Sequence, residues 1–123
     1  MYSPTIAEHI ANPRNVGELL NPSGRGDVTN EACMDRILLT INIESETITA
    51  AKVKAEGCPP TIAAASVLTE LIIGRSLAQA NALTRKDVEE ALEHLPAMKK
   101  HCAALAIDAL RTAIEDRHAG LPA

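Results

Sequence analysis

The chain has 123 residues, of which 46% are hydrophobic, and a formal net charge of −4. At this length we expect one domain, residues 1–123, that buries roughly two thirds of its unfolded surface. Its only aromatic residue is Tyr2, so it lacks the aromatic platforms on which nucleic-acid bases stack, and its acidity opposes a phosphate-binding surface. We therefore expect no nucleic-acid partner.

The N-terminal residues, Met1 to Pro4, show no basic segment followed by a long apolar stretch. The sequence thus predicts neither a signal peptide nor a transmembrane helix, and a cytoplasmic protein without a membrane partner. An odd number of cysteines in a reducing compartment argues against a disulfide framework. It favours free thiols or metal ligands.

The first quarter of the chain predicts a short helix, a loop and a strand. Apolar residues four positions apart indicate a helix over Thr5 to Ala11, which ends at Asn12 because Pro13 follows. The glycines and Asn-Pro and Ser-Gly pairs between Asn15 and Gly26 predict a loop. A short strand over Asp27 to Asn30 is weakly indicated.

Two stretches that follow alternate between apolar and polar residues, the period of a half-buried strand. The apolar positions are Ile37, Leu39, Ile41 and Ile43 in the first stretch, and Ala51, Val53 and Ala55 in the second. The segment Glu44 to Thr47 predicts a turn, so the two strands should pair as a hairpin. One face of the sheet should be apolar and the other charged.

The rest of the chain predicts helices. Apolar residues at three- and four-residue steps run from Pro59 until Gly74. Thr84 can cap a second helix through Leu95, with Asp87 in the capping-box position, and a last helix should run from about Met98 to Arg117. Strands followed by helices favour an α+β domain, in which helices pack on one face of a small three-stranded antiparallel sheet.

The three cysteines lie at the boundaries of these predicted elements. Cys33 precedes the first alternating strand, Cys58 joins the second strand to a helix, and Cys102 lies in the first turns of the last helix, where helix N-termini favour thiolate. Asp35 and His101 are close by. Thiolates with harder, more exchangeable ligands suit transition-metal or iron-sulfur chemistry, although free cysteines often only fill space in a core.

The histidines and Asp35 also have simpler interpretations. His9, His94 and His118 are isolated in the sequence and predicted to be exposed. His101 can be a metal ligand or a solvated histidine in a first helical turn. Asp35 can be a ligand or a surface charge at the start of a strand.

Four groups of residues in chain order resemble one known family. They are Tyr2-Ser3, His9 and Asn12 to Gly17; Ala32-Cys33 followed by Asp35; Gly57-Cys58 with Ile62-Ala63 and Ala65-Ser66; and Leu95-Pro96, Lys99 and His101-Cys102. Together they resemble the iron-sulfur cluster assembly scaffold family of the IscU/NifU type over nearly the whole chain.

This resemblance implies a scaffold and not a turnover enzyme. Members receive sulfur from a cysteine desulfurase as persulfide, gather iron, hold a transient [2Fe-2S] cluster, and pass it to apo-proteins with help from Hsp70 and J-type chaperones. Carried over by position, Cys33, Cys58 and Cys102 would bind the cluster, and Asp35 or His101 would complete the site. The segment Leu95 to Lys99 corresponds to the chaperone-recognition motif.

The sequence departs from the family pattern at three places. Met34 replaces a glycine, which adds a thioether and removes easy access to positive φ. Pro59-Pro60 replaces Gly-Ser, which removes two backbone N–H groups that could hydrogen-bond to a cluster sulfur. Ala97-Met98 replaces Pro-Val in the chaperone motif.

Two other functions fit the same residues. Three cysteines with Asp or His also form an acceptable tetrahedral zinc shell, which would make the chain a structural or regulatory zinc module. The second alternative function is that of a degenerate scaffold-like interaction protein, which keeps the fold but has no cluster chemistry. The sequence fits a monomer or a homodimer.

Overall fold

The computed structural model describes residues 2–32 and 34–120, except for the side chains of residues 118–120. Within these residues the chain forms three strands, five α-helices and one 3-10 turn. In chain order they are α1 (Pro4–Ala11), β1 (Gly24–Asn30), β2 (Asp35–Glu44), β3 (Thr47–Glu56), α2 (Pro59–Ile72), α3 (Leu77–Asn81), α4 (Arg85–Ala91), the 3-10 turn (Ala97–Lys99) and α5 (Lys100–Gly120).

The three strands form one antiparallel sheet in the order β1-β2-β3. The central strand pairs on both sides, so that Leu39 lies opposite Gly26 on one side and Val53 on the other. Apolar residues at every second position therefore line one face of the sheet. The predicted α+β fold with a small three-stranded antiparallel sheet is confirmed.

Helices α2 and α5 cover the apolar face of the sheet. The crossing of α5 over β1 is close: a Cβ atom at Gly24 would overlap the carbonyl oxygen of Ala113, and one at Gly26 would overlap that of Ala109. These glycines are needed for this approach of helix to strand, and not for a turn. The core is aliphatic.

The opposite face of the sheet is charged, and the segment between α1 and β1 crosses it. Glu18 lies 3.6 Å from Lys54 and 3.7 Å from Arg25 in two ion pairs. The Leu19 N–H donates to Oγ1 of Thr40 at 3.0 Å, which buries this central threonine. The predicted division into an apolar and a charged face holds for β3, where Lys52 and Lys54 are exposed, but not for the centre of β2, where Leu38 and Thr40 are buried.

The same segment also runs beside the outer edge of β3. The Gly17 N–H donates to the Val53 carbonyl at 2.9 Å, and the Val53 N–H donates to the Asn15 carbonyl at 2.8 Å. On the other edge of the sheet, the Arg25 N–H donates to Oδ2 of Asp116 at 3.0 Å. Each edge of the sheet thus has at least one backbone group with a partner outside the sheet.

Two predicted boundaries near the N-terminus need comment. Helix α1 is confirmed, and Ser3 caps it by accepting a hydrogen bond from the Ile6 N–H at 3.1 Å. The predicted loop from Asn15 to Gly26 is wrong at its end, because β1 begins at Gly24. Gly24 and Gly26 resemble turn residues in the sequence, but in the structure their lack of a side chain allows α5 to pack close to β1.

The helical predictions also needed correction. The helix predicted from Thr84 to Leu95 has the predicted cap and capping box, but it ends at Ala91. Beyond it, Glu93 (φ 59°) and His94 (φ 103°) have left-handed backbone conformations. The sequence does not predict this end of the helix, because neither residue is a glycine.

Helix α3 was not predicted, although its capping box of Ser76 and Gln79 was visible in the sequence. The last helix begins at Lys100, after the 3-10 turn, and extends past the predicted end at Arg117. None of the described helices combines the length and apolar character needed to cross a bilayer.

Candidate metal centre

Side chains from three distant parts of the chain meet at one end of the sheet. Asp35 begins β2, Cys58 immediately precedes α2, and His101 and Cys102 lie in the first turn of α5. One ligand atom from each lies within 4.8 Å of the others. The structure therefore brings together four of the five predicted site residues. The fifth, Cys33, lies outside the described residues.

Asp35 is completely buried, so its interpretation as a surface charge is wrong. Its Oδ1 accepts a hydrogen bond from the Cys58 N–H at 3.1 Å. Its Oδ2 lies 3.3 Å from Nε2 of His101 and 3.9 Å from Sγ of Cys58. A buried carboxylate needs such partners, because burial removes its hydration.

Gly57 makes the contact between Asp35 and Cys58 possible. Its φ of 127° is in the region that favours glycine, and a Cβ atom there would overlap Oδ1 of Asp35. The turn from β3 to α2 thus passes directly over the carboxylate.

The two described cysteine sulfurs are spaced for a shared ion. Sγ of Cys58 lies 3.8 Å from Sγ of Cys102, and Nε2 of His101 lies 3.6 Å from Sγ of Cys102. An ion with metal–sulfur bonds of about 2.3 Å and tetrahedral angles sets its two sulfurs about 3.8 Å apart. The separation of the thiols therefore fits a tetrahedral iron or zinc ion.

The environment of Cys102 overturns one expectation about its charge. Burial raises the pKa of the Cys102 thiol to about 12, although a hydrogen bond from Thr61 acts in the opposite direction. The predicted preference for thiolate is therefore wrong for Cys102. An ion that binds here must displace the thiol proton, which makes metal affinity depend on pH.

Thr61 belongs to the site although the sequence analysis did not single it out. Its hydroxyl lies 3.3 Å from Sγ of Cys58 and donates to Sγ of Cys102 at 3.2 Å. The available signal was its position three residues after Cys58, one helical turn into α2.

Met34 adopts a positive φ, to which a glycine would have easier access. Its φ is 59°, a left-handed value that costs about 1 kcal/mol in a residue with a side chain. The side chain is 78% exposed, so it presents a thioether beside the buried Asp35.

His9 was predicted to be exposed and is instead buried. Its Nδ1 lies 2.6 Å from the hydroxyl of Ser66, and its Nε2 lies 3.3 Å from Oε1 of Glu70. The same hydroxyl accepts the Arg14 N–H at 2.8 Å. This network joins α1 and the segment after it to α2.

The other two isolated histidines have different outcomes. His94 is exposed, as predicted. The side chain of His118 lies outside the described part of the structure.

The stability of the protein should fall on acidification, in part through His9. Burial lowers the pKa of His9 below its usual 6.5, although the Glu70 carboxylate partly opposes this. The unfolded chain then binds the proton more readily, so the stabilisation is complete above about pH 6.5 and lost as the pH falls through the lowered pKa. We expect the free energy of unfolding to depend less on pH in this range in His9→Asn, as measured by urea unfolding.

The matched control for this titration is His94→Asn. His94 is exposed, and Asn tolerates its left-handed backbone, so this variant should keep the wild-type pH dependence. An unchanged pH dependence in His9→Asn would mean that other groups cause the acid sensitivity.

Comparisons with known proteins agree with this architecture. The family described as NifU-like N terminal domain matches residues 1–119. The bifunctional protein NifU/MnmA of Rubrobacter xylanophilus is 44% identical over 117 residues, which are 94% of this chain and 24% of that protein. The iron-sulfur cluster assembly scaffold protein IscU 1 of Archaeoglobus fulgidus is 41% identical over 116 residues, 94% of this chain and 76% of that protein.

A solved structure has the same fold. The crystal structure of a nitrogen-fixing NifU-like protein (N-terminal) from Brucella abortus superimposes with a TM-score of 0.77 at 18% identity, over 95% of this chain and 94% of that one. This chain spans only about a quarter of the Rubrobacter protein.

Proposed function

Because the chain belongs to the family of NifU-like N-terminal domains, we propose that it is an iron-sulfur cluster assembly scaffold and not a turnover enzyme. It accepts sulfur from a cysteine desulfurase, gathers iron, holds a [2Fe-2S] cluster for a limited time and passes it to apo-proteins. The convergence of Asp35, Cys58, His101 and Cys102 within 4.8 Å carries this proposal. These residues are the donor types that iron accepts.

The proposed ligands divide into firm and exchangeable ones. Cys58, Cys102 and, by its position in the sequence, Cys33 supply thiolates. Asp35 or His101 completes the shell with a harder donor, and such a donor makes the cluster easier to release. Cys58 and His101 are half-buried, whereas Asp35 and Cys102 are buried, so iron and sulfur would enter from the side of Cys58 and His101.

The proposed partners are a cysteine desulfurase, apo iron-sulfur proteins and, through Leu95 to Lys99, Hsp70 and J-type chaperones. Leu95 is only 2% exposed, whereas Met98 on the 3-10 turn is 87% exposed. Chaperone contact would therefore use the 3-10 turn, with Leu95 as its buried support. The chemistry requires Cys58 and Cys102 as thiols, a state that the reducing cytoplasm maintains.

Anaerobic reconstitution with ferrous iron and sulfide tests the scaffold. We expect visible charge-transfer bands, equal iron and sulfide content, and transfer to an apo-ferredoxin. A colourless protein that retains zinc would contradict the scaffold and support the zinc module. A protein that binds neither a cluster nor zinc would support the degenerate interaction protein.

Replacing Asp35 by asparagine should slow cluster transfer. The amide oxygen can still accept the Cys58 N–H, so the turn is kept, but the neutral amide does not supply the exchangeable carboxylate that is proposed to ease release of the cluster. We expect transfer to apo-ferredoxin to slow by about tenfold, which is the low end of the effect of losing even an outer partner of a metal site. Transfer is followed by the circular dichroism of the acceptor cluster.

Glu44→Gln is the matched control, because Glu44 is an exposed carboxylate at the other end of the same strand. It should transfer at the wild-type rate. If Asp35→Asn also transfers at that rate, the exchangeable ligand is not Asp35, and His101 takes its place in the proposed shell.

A further inference from the structure

A buried hydroxyl lies between the two described cysteine sulfurs. Thr61 is fully buried in the first turn of α2, so its hydroxyl must find partners inside the protein. It donates to Sγ of Cys102 at 3.2 Å and lies 3.3 Å from Sγ of Cys58. A hydroxyl has one hydrogen to donate, so while it donates to Sγ of Cys102 it does not also donate to Sγ of Cys58.

The backbone from Cys58 to Ile62 has no donor left for these sulfurs. The Cys58 N–H donates to Asp35, and Pro59-Pro60 has no N–H. The Thr61 and Ile62 N–H groups both point to the Cys58 carbonyl, at 2.9 Å and 3.4 Å. Over this stretch, the side chain of Thr61 is the donor that reaches a sulfur.

His101 is the neighbouring group that could compete for this role. Its Nε2 lies 3.6 Å from Sγ of Cys102. If this nitrogen binds a metal, however, it carries no proton to donate. The hydroxyl of Thr61 has no such conflict.

We propose that Thr61 is a positioning residue that tunes the ligand sulfur of Cys102, in place of the backbone donors that Pro59-Pro60 removes. This inference rests on the proposed function and deepens it. A hydrogen bond to a ligating thiolate withdraws electron density from the sulfur, which weakens its donation to the metal and raises the reduction potential of the site. Loss of the hydroxyl has the opposite effect on both quantities.

Cobalt(II) is the probe for this effect, because its sulfur-to-metal charge-transfer band reports thiolate donation directly. Thr61→Val removes the hydroxyl with little change in shape, whereas Thr61→Ser keeps it. We expect the band to move to lower energy in Thr61→Val and to stay at the wild-type position in Thr61→Ser. In the reconstituted cluster, the reduction potential of Thr61→Val should become more negative.

Thr40→Val is the matched control, since Thr40 is also a fully buried threonine but belongs to the central strand. Its cobalt band should not move. If Thr61→Val does not unfold cooperatively in urea, Thr61→Ala is measured instead, because its smaller side chain cannot overpack the site.

Two results would overturn the inference: an unmoved band in the folded variant without the hydroxyl, or an equal shift in Thr61→Ser. Neither result affects the proposed function, which fails only if the wild-type protein assembles no cluster. A wild-type protein that binds cobalt but no cluster, with the expected band shift in Thr61→Val, would support the inference alone.

Discussion

The Gly57→Ala variant should lose the metal centre and much of its stability. The added methyl group would overlap Oδ1 of Asp35, and the φ of 127° disfavours alanine. Either the carboxylate or the turn must move, which breaks its hydrogen bond with the Cys58 N–H and displaces the sulfur. We expect cobalt(II) binding to be abolished and the free energy of unfolding to fall by about 3 kcal/mol.

Gly17→Ala separates backbone strain from the loss of the site. Gly17 has a similar φ of 134°, but a Cβ atom there would meet only Cδ of Lys52, at an ordinary contact distance of 3.5 Å. We expect this variant to lose about 1 kcal/mol and to bind cobalt(II) normally. Wild-type cobalt affinity in Gly57→Ala would contradict the role of this turn in holding Asp35 and Cys58 together.

The Gly26→Ala variant should be destabilised as strongly, but for a different reason. A Cβ atom there would overlap the carbonyl oxygen of Ala109 in α5. Because the obstacle is backbone, no side-chain rotation relieves it, and α5 must move away from β1. We expect the free energy of unfolding to fall by about 3 kcal/mol, as measured by urea denaturation.

Thr29→Ala is the control for this substitution, because Thr29 lies on the same strand with an exposed side chain. Its stability should stay within about 0.5 kcal/mol of wild type. Equal stability of Gly26→Ala and wild type would show that α5 can adjust its position on the sheet without cost.

The architecture could be predicted because its signals are local. Alternation along β2 and β3, and helical periodicity in α2 and α5, are patterns of neighbouring residues. The candidate ligand residues could be named because they stand in recognisable motifs. Their convergence, in contrast, depends on the register of β2 and on how α2 and α5 dock, which a pattern of neighbouring residues does not determine.

The features that could not be predicted depend on contacts distant in sequence. The burial of His9 depends on Ser66 and Glu70, more than fifty residues away. In the sequence, Gly26 cannot be distinguished from a turn glycine. Its role becomes visible only in the structure, where α5 packs against it. Thr61 has meaning only beside Cys102, which belongs to another helix.

The hydrogen bonds along the outer strands affect the tendency of this protein to aggregate at high concentration. A small sheet normally offers unpaired backbone groups at its two sides, and other chains can add strands there and aggregate. Here Val53 is engaged by Asn15 and Gly17 on one side, and Arg25 by Asp116 on the other. A strand that added at these positions would have to displace those partners, which favours association there through side-chain surfaces, where partners can be distinguished from one another.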